Sequence, residues 1–360
     1  MGIKKSSRLN KVFREFYGYS DRRNFYRLDR NEDPVGWDDS VFSKLKDYLT
    51  KYDFAAYTDS NELLSTLCNW TGFPEENIYI TAGADGAIKN IFEVYLDPDD
   101  IILMQEPCWP MYWVYSNVYQ GSIIKQPYNE NLFFDVSAFI KKINSIKPRV
   151  VIIANPNMPT GTMIDEEDIK KICEACSKND TLFIIDEAYH LFSSFSSIDL
   201  IKDFENVVIV RTFSKAFGLA GLRIGYCLAN KEIINNLMLV RPIADANNIG
   251  LKTAVFAIEN FDYVSKRISD YIEGREFLYT NFTKNGIKTY KSDGNFLLIG
   301  CKSLNDANLA LEKISNKKYL LKGPYLSYPL ENFIRVTIGP LELMKKFWED
   351  CSDIIKSSSI

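Results

Sequence analysis

The sequence contains a single histidine, His190, among its 360 residues. Imidazole is the commonest metal ligand in proteins and the usual general base beside a serine nucleophile. One imidazole cannot build a histidine-rich metal centre, so no metal is predicted, and it argues against a serine–histidine mechanism. Any proton transfer that the protein performs is therefore expected to use another kind of side chain.

The sequence also lacks a continuous basic block and a long apolar run. Its formal net charge at pH 7 is −4. No stretch could neutralise many phosphates, so a nucleic-acid partner is not expected. The basic residues near the N-terminus are not followed by an uninterrupted apolar segment, so we predict neither a secretory signal nor a membrane span, and we expect a cytoplasmic protein.

The sequence also lacks the cysteine pattern of a disulfide framework. Seven cysteines are scattered through a long chain, and an odd number argues for reduced thiols. The one CxxC pair, Cys173 and Cys176, shares a three-and-four spacing with Ile169 and Ile172. That spacing is typical of one helix face, and no second ligand pair exists for zinc, so both cysteines are predicted to be packing groups.

What the chain does contain is an alternation of β-rich runs and helical patterns between about residues 75 and 230. Three of the runs, at 149–154, 182–185 and 207–210, are almost entirely apolar, as expected of parallel strands covered on both faces. This alternation predicts a doubly wound α/β domain. Beyond residue 250 the pattern changes to a long helix that reaches Phe282, followed by short strands predicted at 286–291, 295–299 and 333–338.

Three parts are predicted from these changes in pattern. Residues 1–37 are interpreted as an N-terminal arm that joins the small domain. Residues 38–245 form the large domain with the ligand site, and residues 246–360 form a smaller α+β domain.

Polar residues concentrate where four predicted strands end, at 83–86, 155–161, 186–189 and 211–215. Ligands of open parallel sheets bind outside the carboxyl ends of the strands, so these segments are predicted to form one site. Taken singly, a lysine after a buried strand is usually a solvated loop residue, and an aspartate there is usually a turn or a cap. Four strand ends with complementary groups make that explanation weak.

One ligand suits this combination of groups, the phosphorylated aromatic aldehyde pyridoxal 5′-phosphate. Lys215 can form a Schiff base with its carbonyl, and Asp186 can keep its ring nitrogen protonated. Tyr189 can hydrogen-bond the phenolic oxygen of the ring. The helix start at 83–86 offers free N–H groups to the phosphate. The side chains expected to bind the phosphate are Thr212, Ser214 and Arg223.

Six segments carry a recognisable signature. They read LDRNEDP at 28–34, GADG at 83–86, NPNMPTG at 155–161, DEAY at 186–189, SKAFGLAGLRIGY at 214–226 and FIRVTIG at 333–339. Together they resemble histidinol-phosphate aminotransferases, which are fold-type I pyridoxal-phosphate enzymes. The resemblance implies a large domain whose mixed, mostly parallel sheet is sandwiched by helices, together with a smaller α+β domain.

The resemblance also implies roles for individual residues. Trp109 would stack on the cofactor ring, the alternative being a plain core tryptophan, and Tyr57 would reach the phosphate of the neighbouring subunit in a homodimer. The catalytic residues would be Lys215, Asp186 and Tyr189. The cofactor-binding residues would be Tyr57, Ala84, Asp85, Trp109, Asn157, Asp186, Tyr189, Thr212, Ser214, Lys215 and Arg223, and the substrate-binding residues would be Asn31, Lys322 and Arg335.

The sequence departs from the family pattern at three places. Met158 stands where the family usually has an asparagine that contacts the phenolic oxygen, so we predict that Tyr189 makes this contact alone or that Asn157 substitutes. The segment RPIADANN at 241–248 replaces a common Tyr-Pro element, and Lys322 is the cation near a place where an additional arginine is common. These departures affect the substrate pocket more than the cofactor site.

The predicted function is amino transfer from an amino-acid donor, with glutamate expected, to a small phosphorylated keto acceptor. Imidazole acetol phosphate and a hydroxyacetone phosphate-type ketone such as dihydroxyacetone phosphate both fit this description. In this interpretation Lys215 carries the proton, provided that burial lowers its pKa. Two alternatives stay open, a pyridoxal-phosphate-dependent decarboxylase of a phosphorylated amino acid and a non-catalytic ligand sensor built on the same domain.

Overall fold

A computed structural model describes residues 3–13 and 21–359. The parts of the predicted arm at 1–2 and 14–20, and residue 360 of the small domain, lie outside the described residues. The strands are β1 Tyr26–Leu28, β2 Ile78–Thr81, β3 Ile101–Glu106, β4 Ser122–Pro127, β5 Val150–Ala154, β6 Leu182–Asp186, β7 Val207–Thr212, β8 Gly225–Ala229, β9 Phe296–Gly300, β10 Tyr319–Leu321 and β11 Phe333–Thr337. The helices are α1 Asp39–Tyr48, α2 Lys51–Ala55, α3 Asn61–Thr71, α4 Gly83–Tyr95, α5 Met111–Val118, α6 Val136–Ile146, α7 Glu166–Ser177, α8 Leu200–Asp203, α9 Lys231–Met238, α10 Asn248–Glu259, α11 Phe261–Lys284, α12 Leu304–Asn316 and α13 Leu341–Ser358.

The central element is a seven-stranded sheet with the strand order β2-β8-β7-β6-β5-β3-β4. The neighbouring strands β4, β3, β5, β6 and β7 pair in parallel. Strand β8 is antiparallel to both of its neighbours, β7 and β2. The predicted α/β fold with a mixed, mostly parallel sheet between helices is therefore confirmed. Strand β8 itself was not predicted.

Both faces of this sheet are buried, which explains the apolar runs. Successive residues of β7 alternate between two separate hydrophobic clusters, with Val207 and Ile209 in one and Val208 and Val210 in the other. All four side chains have 0% exposure. Each fully buried aliphatic side chain contributes roughly 1.5–3 kcal/mol, so a strand covered on both faces needs no polar alternation. Cys173 lies fully buried in the first cluster, which confirms its predicted packing role.

The C-terminal third is built on two smaller sheets. Strands β9 and β11 pair antiparallel, and β1 of the arm pairs in parallel with β10. The predicted long helix is two helices, α10 and α11, separated at Asn260. Helix α10 packs against α2 and α3 while α11 packs against α13, and the boundary drawn between 245 and 246 stays a prediction.

The predicted strand at 286–291 was wrong. The backbone there makes one ladder-like contact, in which the N–H of Gly300 donates to Lys288 O at 2.8 Å. The hydroxyl of Thr289 donates to Leu298 O at 2.7 Å, so a side chain takes an acceptor of β9 that a backbone N–H would occupy in a ladder. A β-branched residue therefore lies along the sheet edge without extending the sheet.

The arm is anchored by one buried carboxylate, that of Asp33. Arg267 Nη2 lies 2.5 Å from Asp33 Oδ2, and the hydroxyl of Tyr271 donates to Oδ1 at 2.6 Å. Both partners come from α11. The backbone N–H groups of Val35 and Gly36 complete its shell at 3.1 and 3.0 Å. A carboxylate removed from water needs such partners, so this contact holds the arm in one place.

Among the described residues, no helix has the length and apolar character needed to cross a bilayer.

Replacing Arg267 with methionine should loosen the arm. The Asp33 carboxylate would stay buried without its cation, so we expect the free energy of unfolding to fall by about 3 kcal/mol in urea denaturation. Limited proteolysis should also cut the arm faster. The matched control is Arg23→Met, because Arg23 is 89% exposed in its pair with Asp21 and its loss should leave the free energy of unfolding nearly unchanged. Equal losses in the two variants would contradict this account.

Candidate active site

Lys215 follows β7 at the carboxyl edge of the parallel strands. Its Nζ donates to the backbone carbonyl of Arg30 at 3.3 Å and lies 5.7 Å from the ring centroid of Tyr189. Burial, which has the largest effect, and the positive charges of Arg335 and Arg223 together lower the pKa of the Lys215 ammonium to about 8, against the opposing effect of nearby carboxylates. A lysine with this pKa is partly neutral near physiological pH and can act as a base or a nucleophile.

Asp186 ends the neighbouring strand β6, where it pairs in register with Val210 of β7. The residue is 6% exposed. Its Oδ2 accepts from the hydroxyl of Tyr112 at 2.6 Å, and its Oδ1 accepts from the N–H of Ala188 at 3.0 Å. Burial raises the pKa of the Asp186 carboxyl to about 6, while these hydrogen bonds and the charge of Lys215 oppose the rise. A carboxylate held this way is suited to pair with a buried cation.

A cradle for an anion lies where β7, β8 and the start of α4 meet. Helix α4 begins at Gly83, whose φ of +78° an L side chain rarely adopts, and a Cβ there would lie 2.8 Å from Arg223 Nη2. A Cβ on Gly225 would lie 2.7 Å from the backbone nitrogen of Ala84, so only glycine lets β8 approach the helix so closely. The N–H groups of Ala84 and Asp85 lie in the first turn of α4, where a helix favours an anion.

Three polar side chains complete the cradle. The Thr212 hydroxyl donates to Ser214 Oγ at 2.9 Å, and Thr212 Oγ1 accepts from the Ser214 N–H at 3.1 Å. Arg223 Nη1 donates to Ser214 Oγ at 3.4 Å and to Ala220 O at 3.3 Å. The carboxylate of Asp85 is turned to the Tyr115 hydroxyl, which donates to it at 2.7 Å. The predicted phosphate-binding groups therefore come together.

Tyr189 lies beneath the arm. Its hydroxyl accepts from Asn31 Nδ2 at 2.9 Å, and burial raises the pKa of the Tyr189 phenol to about 12. The phenol therefore keeps its proton and can donate it in a hydrogen bond. Both amide hydrogens of Asn157 are used, since Nδ2 donates to Pro107 O at 3.0 Å and to Thr160 Oγ1 at 2.9 Å. Of the two open alternatives, this geometry favours Tyr189 as the donor to a phenolic oxygen.

Arg335 belongs to β11 and is 6% exposed. Its Nη2 donates to the backbone carbonyl of Asp29 at 2.8 Å, and its Nη1 lies 3.1 Å from the thioether sulfur of Met158. Within the part of the chain that the structure describes, Arg335 Nε is buried without a hydrogen-bond partner. Lys322 pairs with Arg335 backbone to backbone, at 3.0 and 2.7 Å. Met158 therefore contacts the guanidinium expected to bind substrate.

Two predicted aromatic residues lie in different surroundings. Trp109 is half-buried, and its ring meets that of Tyr112 edge to face at 5.6 Å and 85°. Tyr57 is 91% exposed, so its ring is not packed within this chain. The structure of one chain thus brings Trp109 to the edge of the core and leaves Tyr57 projecting outward.

The sequence reading missed Tyr112 and the arm carbonyls. Tyr112 lies three residues after Trp109, and a spacing of about one helical turn after a candidate stacking residue was a usable signal. The carbonyls of Asp29 and Arg30 gave no signal, because every residue carries one. Their role depends on the folded chain, which brings Lys215 and Arg335 beside them.

Pyridoxal phosphate fits these residues. The anion cradle receives a phosphate, a buried carboxylate matches a ring nitrogen, and a lysine of lowered pKa matches an aldehyde. The fold and site thus define a pyridoxal-phosphate-dependent enzyme of fold type I. Residues 24–350 match the family model of aminotransferase class I and II, and the chain belongs to that family. It is a pyridoxal-phosphate-dependent aminotransferase.

Similar proteins cover nearly the whole chain. The histidinol-phosphate aminotransferase of Thermoanaerobacter sp. (strain X514) is 32% identical over 320 residues, which are 88% of this chain and 89% of that protein. The histidinol-phosphate aminotransferase of Clostridium novyi (strain NT) is 30% identical over 93% of both chains. A solved structure of the Sinorhizobium meliloti histidinol-phosphate aminotransferase, in complex with pyridoxal-5′-phosphate, aligns with a TM-score of 0.82 at 24% identity, covering 92% of this chain and 91% of that one. At that identity the structural likeness concerns the fold.

Replacing Lys215 with methionine should stabilise the cofactor-free protein at pH 7. The lowered pKa means that unfolding takes up a proton between pH 8 and the ordinary lysine value of 10.5. Below pH 8 the folded state carries the full cost of the buried ammonium, and that cost disappears as the pH rises toward 10.5. We expect a gain on the order of 1 kcal/mol at pH 7 in urea unfolding, shrinking toward zero above pH 10.

The control for this experiment is Lys202→Met, because Lys202 is a surface lysine whose side chain is 61% exposed. Its stability difference from the wild type should not change between pH 7 and pH 10. A Lys215→Met variant that is less stable than the wild type at pH 7, or whose difference does not depend on pH, would show that burial of Lys215 imposes no such cost.

Proposed function

We propose that this aminotransferase moves an amino group from an amino-acid donor, glutamate being the expected one, to a small phosphorylated keto acceptor. The observation that carries the proposal is the convergence of Lys215 and Arg335 under one arm segment, with Asp186 close enough to Lys215 for their charges to interact. Arg335 Nη2 and Lys215 Nζ donate to the adjacent carbonyls of Asp29 and Arg30. This arrangement supports the binding of one amino acid, with its carboxylate at Arg335 and its amine near Lys215.

The cofactor-binding residues are assigned as follows. Asp186 keeps the ring nitrogen protonated, Tyr189 donates to the phenolic oxygen, and Trp109 stacks on the ring. When bound, pyridoxal phosphate supplies an electron sink for the carbanion that forms when the substrate loses its α-proton. The phosphate is held by the backbone of Ala84 and Asp85 and by Thr212, Ser214 and Arg223. Asn157 supports this region through Pro107 and Thr160 rather than by donating to the ring.

Lys215 performs the proton transfer in this proposal. With a pKa of about 8 it offers a neutral amine near neutral pH, and it both removes the α-proton and returns it. Arg335 binds the substrate α-carboxylate through its planar donor fork. Asn31, buried and bonded to Tyr189, closes the arm over the substrate. Donor and acceptor use the same residues in turn, so ping-pong kinetics are expected.

The acceptor is proposed from the names of the relatives and from the departures in this chain. The relatives named above are histidinol-phosphate aminotransferases, which favours imidazole acetol phosphate. Met158 beside Arg335 and Lys322 opposite it alter the pocket, which favours a smaller ketone such as dihydroxyacetone phosphate. Lys322 is assigned to the phosphate of either acceptor as a point charge.

We also propose a homodimer with shared sites. Tyr57 is 91% exposed, together with Phe54 at 73% and Tyr52 at 68% in the same segment. Neighbouring large apolar rings on a surface favour burial against another protein. In a two-fold dimer the same segment of each subunit would place Tyr57 toward the phosphate site of its partner.

A half-reaction screen tests the proposed reaction. The pyridoxal form is mixed with amino acids, and conversion to the pyridoxamine form is followed by absorbance. Candidate keto acceptors are then added, and regeneration of the pyridoxal form is followed in the same way. We expect glutamate to convert the cofactor, and phosphorylated ketones to regenerate it faster than pyruvate and other keto acids that are not the product of the donor itself. Lys215→Ala should bind the cofactor but lose at least about a thousandfold in the proton-transfer rate.

Three outcomes would contradict the proposal. Faster regeneration by non-phosphorylated keto acids other than 2-oxoglutarate, the keto product of glutamate itself, than by every phosphorylated ketone would exclude the acceptor class. Release of carbon dioxide without consumption of a keto acid would indicate a decarboxylase. Failure of every amino acid to convert the cofactor would indicate a ligand sensor.

Subunit complementation tests the shared site. Tyr57→Ala and Lys215→Ala should each have low activity, and co-expression should restore activity because one site of each mixed dimer keeps both native residues. Random pairing of subunits predicts native residues in about a quarter of the sites. In the control, the two variants are purified separately and mixed under conditions in which subunits do not exchange, so activity should stay low. Mixed dimers that form but stay inactive would show that Tyr57 serves its own subunit.

A further inference from the structure

Tyr112 is the one fully buried phenol whose hydroxyl reaches the site carboxylate among the described residues. The residue has 0% exposure and lies in α5, and its hydroxyl donates to Asp186 Oδ2 at 2.6 Å. Within the described residues, the other carboxylate oxygen accepts one hydrogen bond, from the N–H of Ala188. Each oxygen therefore has one hydrogen bond from the protein and keeps lone pairs free for a ligand.

We propose that Tyr112 is a positioning residue that keeps Asp186 ionised and correctly oriented toward the ring nitrogen of the cofactor. The inference rests on the proposed role of Asp186, and it adds a residue that neither the motifs nor the names of the relatives point to. Tyr112 acts through the carboxylate and does not contact the cofactor nitrogen itself.

The physical problem that Tyr112 solves is the cost of a buried charge. Burial favours the neutral form of Asp186, and a neutral carboxyl binds a pyridinium weakly. The phenol opposes this effect by donating to the charged form. Burial and the adjacent carboxylate raise the pKa of Tyr112 well above its ordinary value, so the phenol remains a donor throughout the working pH range.

The position of the Tyr112 ring is itself restrained. The ring meets Trp109 edge to face at 5.6 Å, and the backbone carbonyl of Tyr112 accepts from the Ser116 hydroxyl at 2.7 Å. The same side chain thus supports the ring expected to stack on the cofactor and the acid expected to bind its nitrogen. One side chain therefore supports two expected contacts to a planar ligand, one on its face and one at its edge.

Other ionisable groups also act on this pair. Lys215 favours the charged form of Asp186, whereas Glu187 disfavours it. The groups that act on Tyr112 besides Asp186 are Cys108 and Tyr189. Because none of these changes when the Tyr112 hydroxyl is removed, a change in the titration of Asp186 reports the hydroxyl.

The test measures binding of pyridoxamine 5′-phosphate to the cofactor-free enzyme by quenching of tryptophan fluorescence between pH 5 and 9. This probe lacks the aldehyde, so it binds without a covalent bond to Lys215. Affinity should fall below the pKa of Asp186. In Tyr112→Phe we expect the midpoint of that fall to move up by about one pH unit, which corresponds to about tenfold weaker binding at pH values below both midpoints and to no difference well above them.

A second variant should shift the midpoint in the opposite direction. 3-Fluorotyrosine at position 112 keeps the ring and is a more acidic, stronger donor, so it should lower the midpoint. The matched control is Tyr319→Phe, because the Tyr319 hydroxyl also donates to a carboxylate, that of Asp350, at 2.7 Å in another part of the chain. This control should leave the binding profile unchanged.

A double-mutant cycle separates this inference from the proposed function. If Tyr112 acts through Asp186, adding Tyr112→Phe to Asp186→Asn should weaken binding no further than Asp186→Asn alone. An unchanged affinity in Asp186→Asn would overturn the role of Asp186 itself. A large loss in Asp186→Asn with no change of midpoint in Tyr112→Phe, or additive losses in the double variant, would overturn only the role of Tyr112.

Discussion

Two ionisable side chains at the ends of adjacent parallel strands are withdrawn from water, and much of the surrounding structure serves to hold them. Asp186 and Lys215 are each shifted toward the neutral form, the acid upward to about 6 and the amine downward to about 8. The strands that carry them are buried on both faces, so neither end can move toward solvent without disturbing the core. A ligand with a pyridine nitrogen and an aldehyde satisfies both groups at once.

The arm is the second constraint. Asp33 anchors the arm to α11 through Arg267. Nearby in the arm, Asn31 faces the site and bonds to Tyr189 and to Thr337 of β11. One extended segment therefore links the ends of the parallel strands with the antiparallel pair that carries Arg335. Displacement of either unit would move Asn31, so under the proposed function the contact of the arm with substrate would depend on the relative position of the two units.

Much of the fold and the cofactor site could be predicted from the sequence because both depend on local patterns. Apolar runs mark strands buried on both faces, and the residues that follow them are placed together by the topology. The strand predicted at 286–291 failed because the hydroxyl of Thr289 replaced a backbone bond, which composition does not reveal. Tyr112 was missed because its contact with Asp186 spans 74 residues of sequence. The role predicted for Tyr57 involves a second chain, which the structure of a single chain does not contain.

The adjacent carbonyls of Asp29 and Arg30 have a thermodynamic consequence for substrate capture. They hold Arg335 and Lys215 through hydrogen bonds to neutral dipoles. Under the proposed function, an incoming amino acid would meet a guanidinium that is already removed from water, and its carboxylate would replace a neutral acceptor by a charged one without the loss of a hydrogen bond. The dehydration of that cation is completed during folding, so the affinity for a carboxylate reflects a difference between two acceptors and not the full transfer of a cation from water.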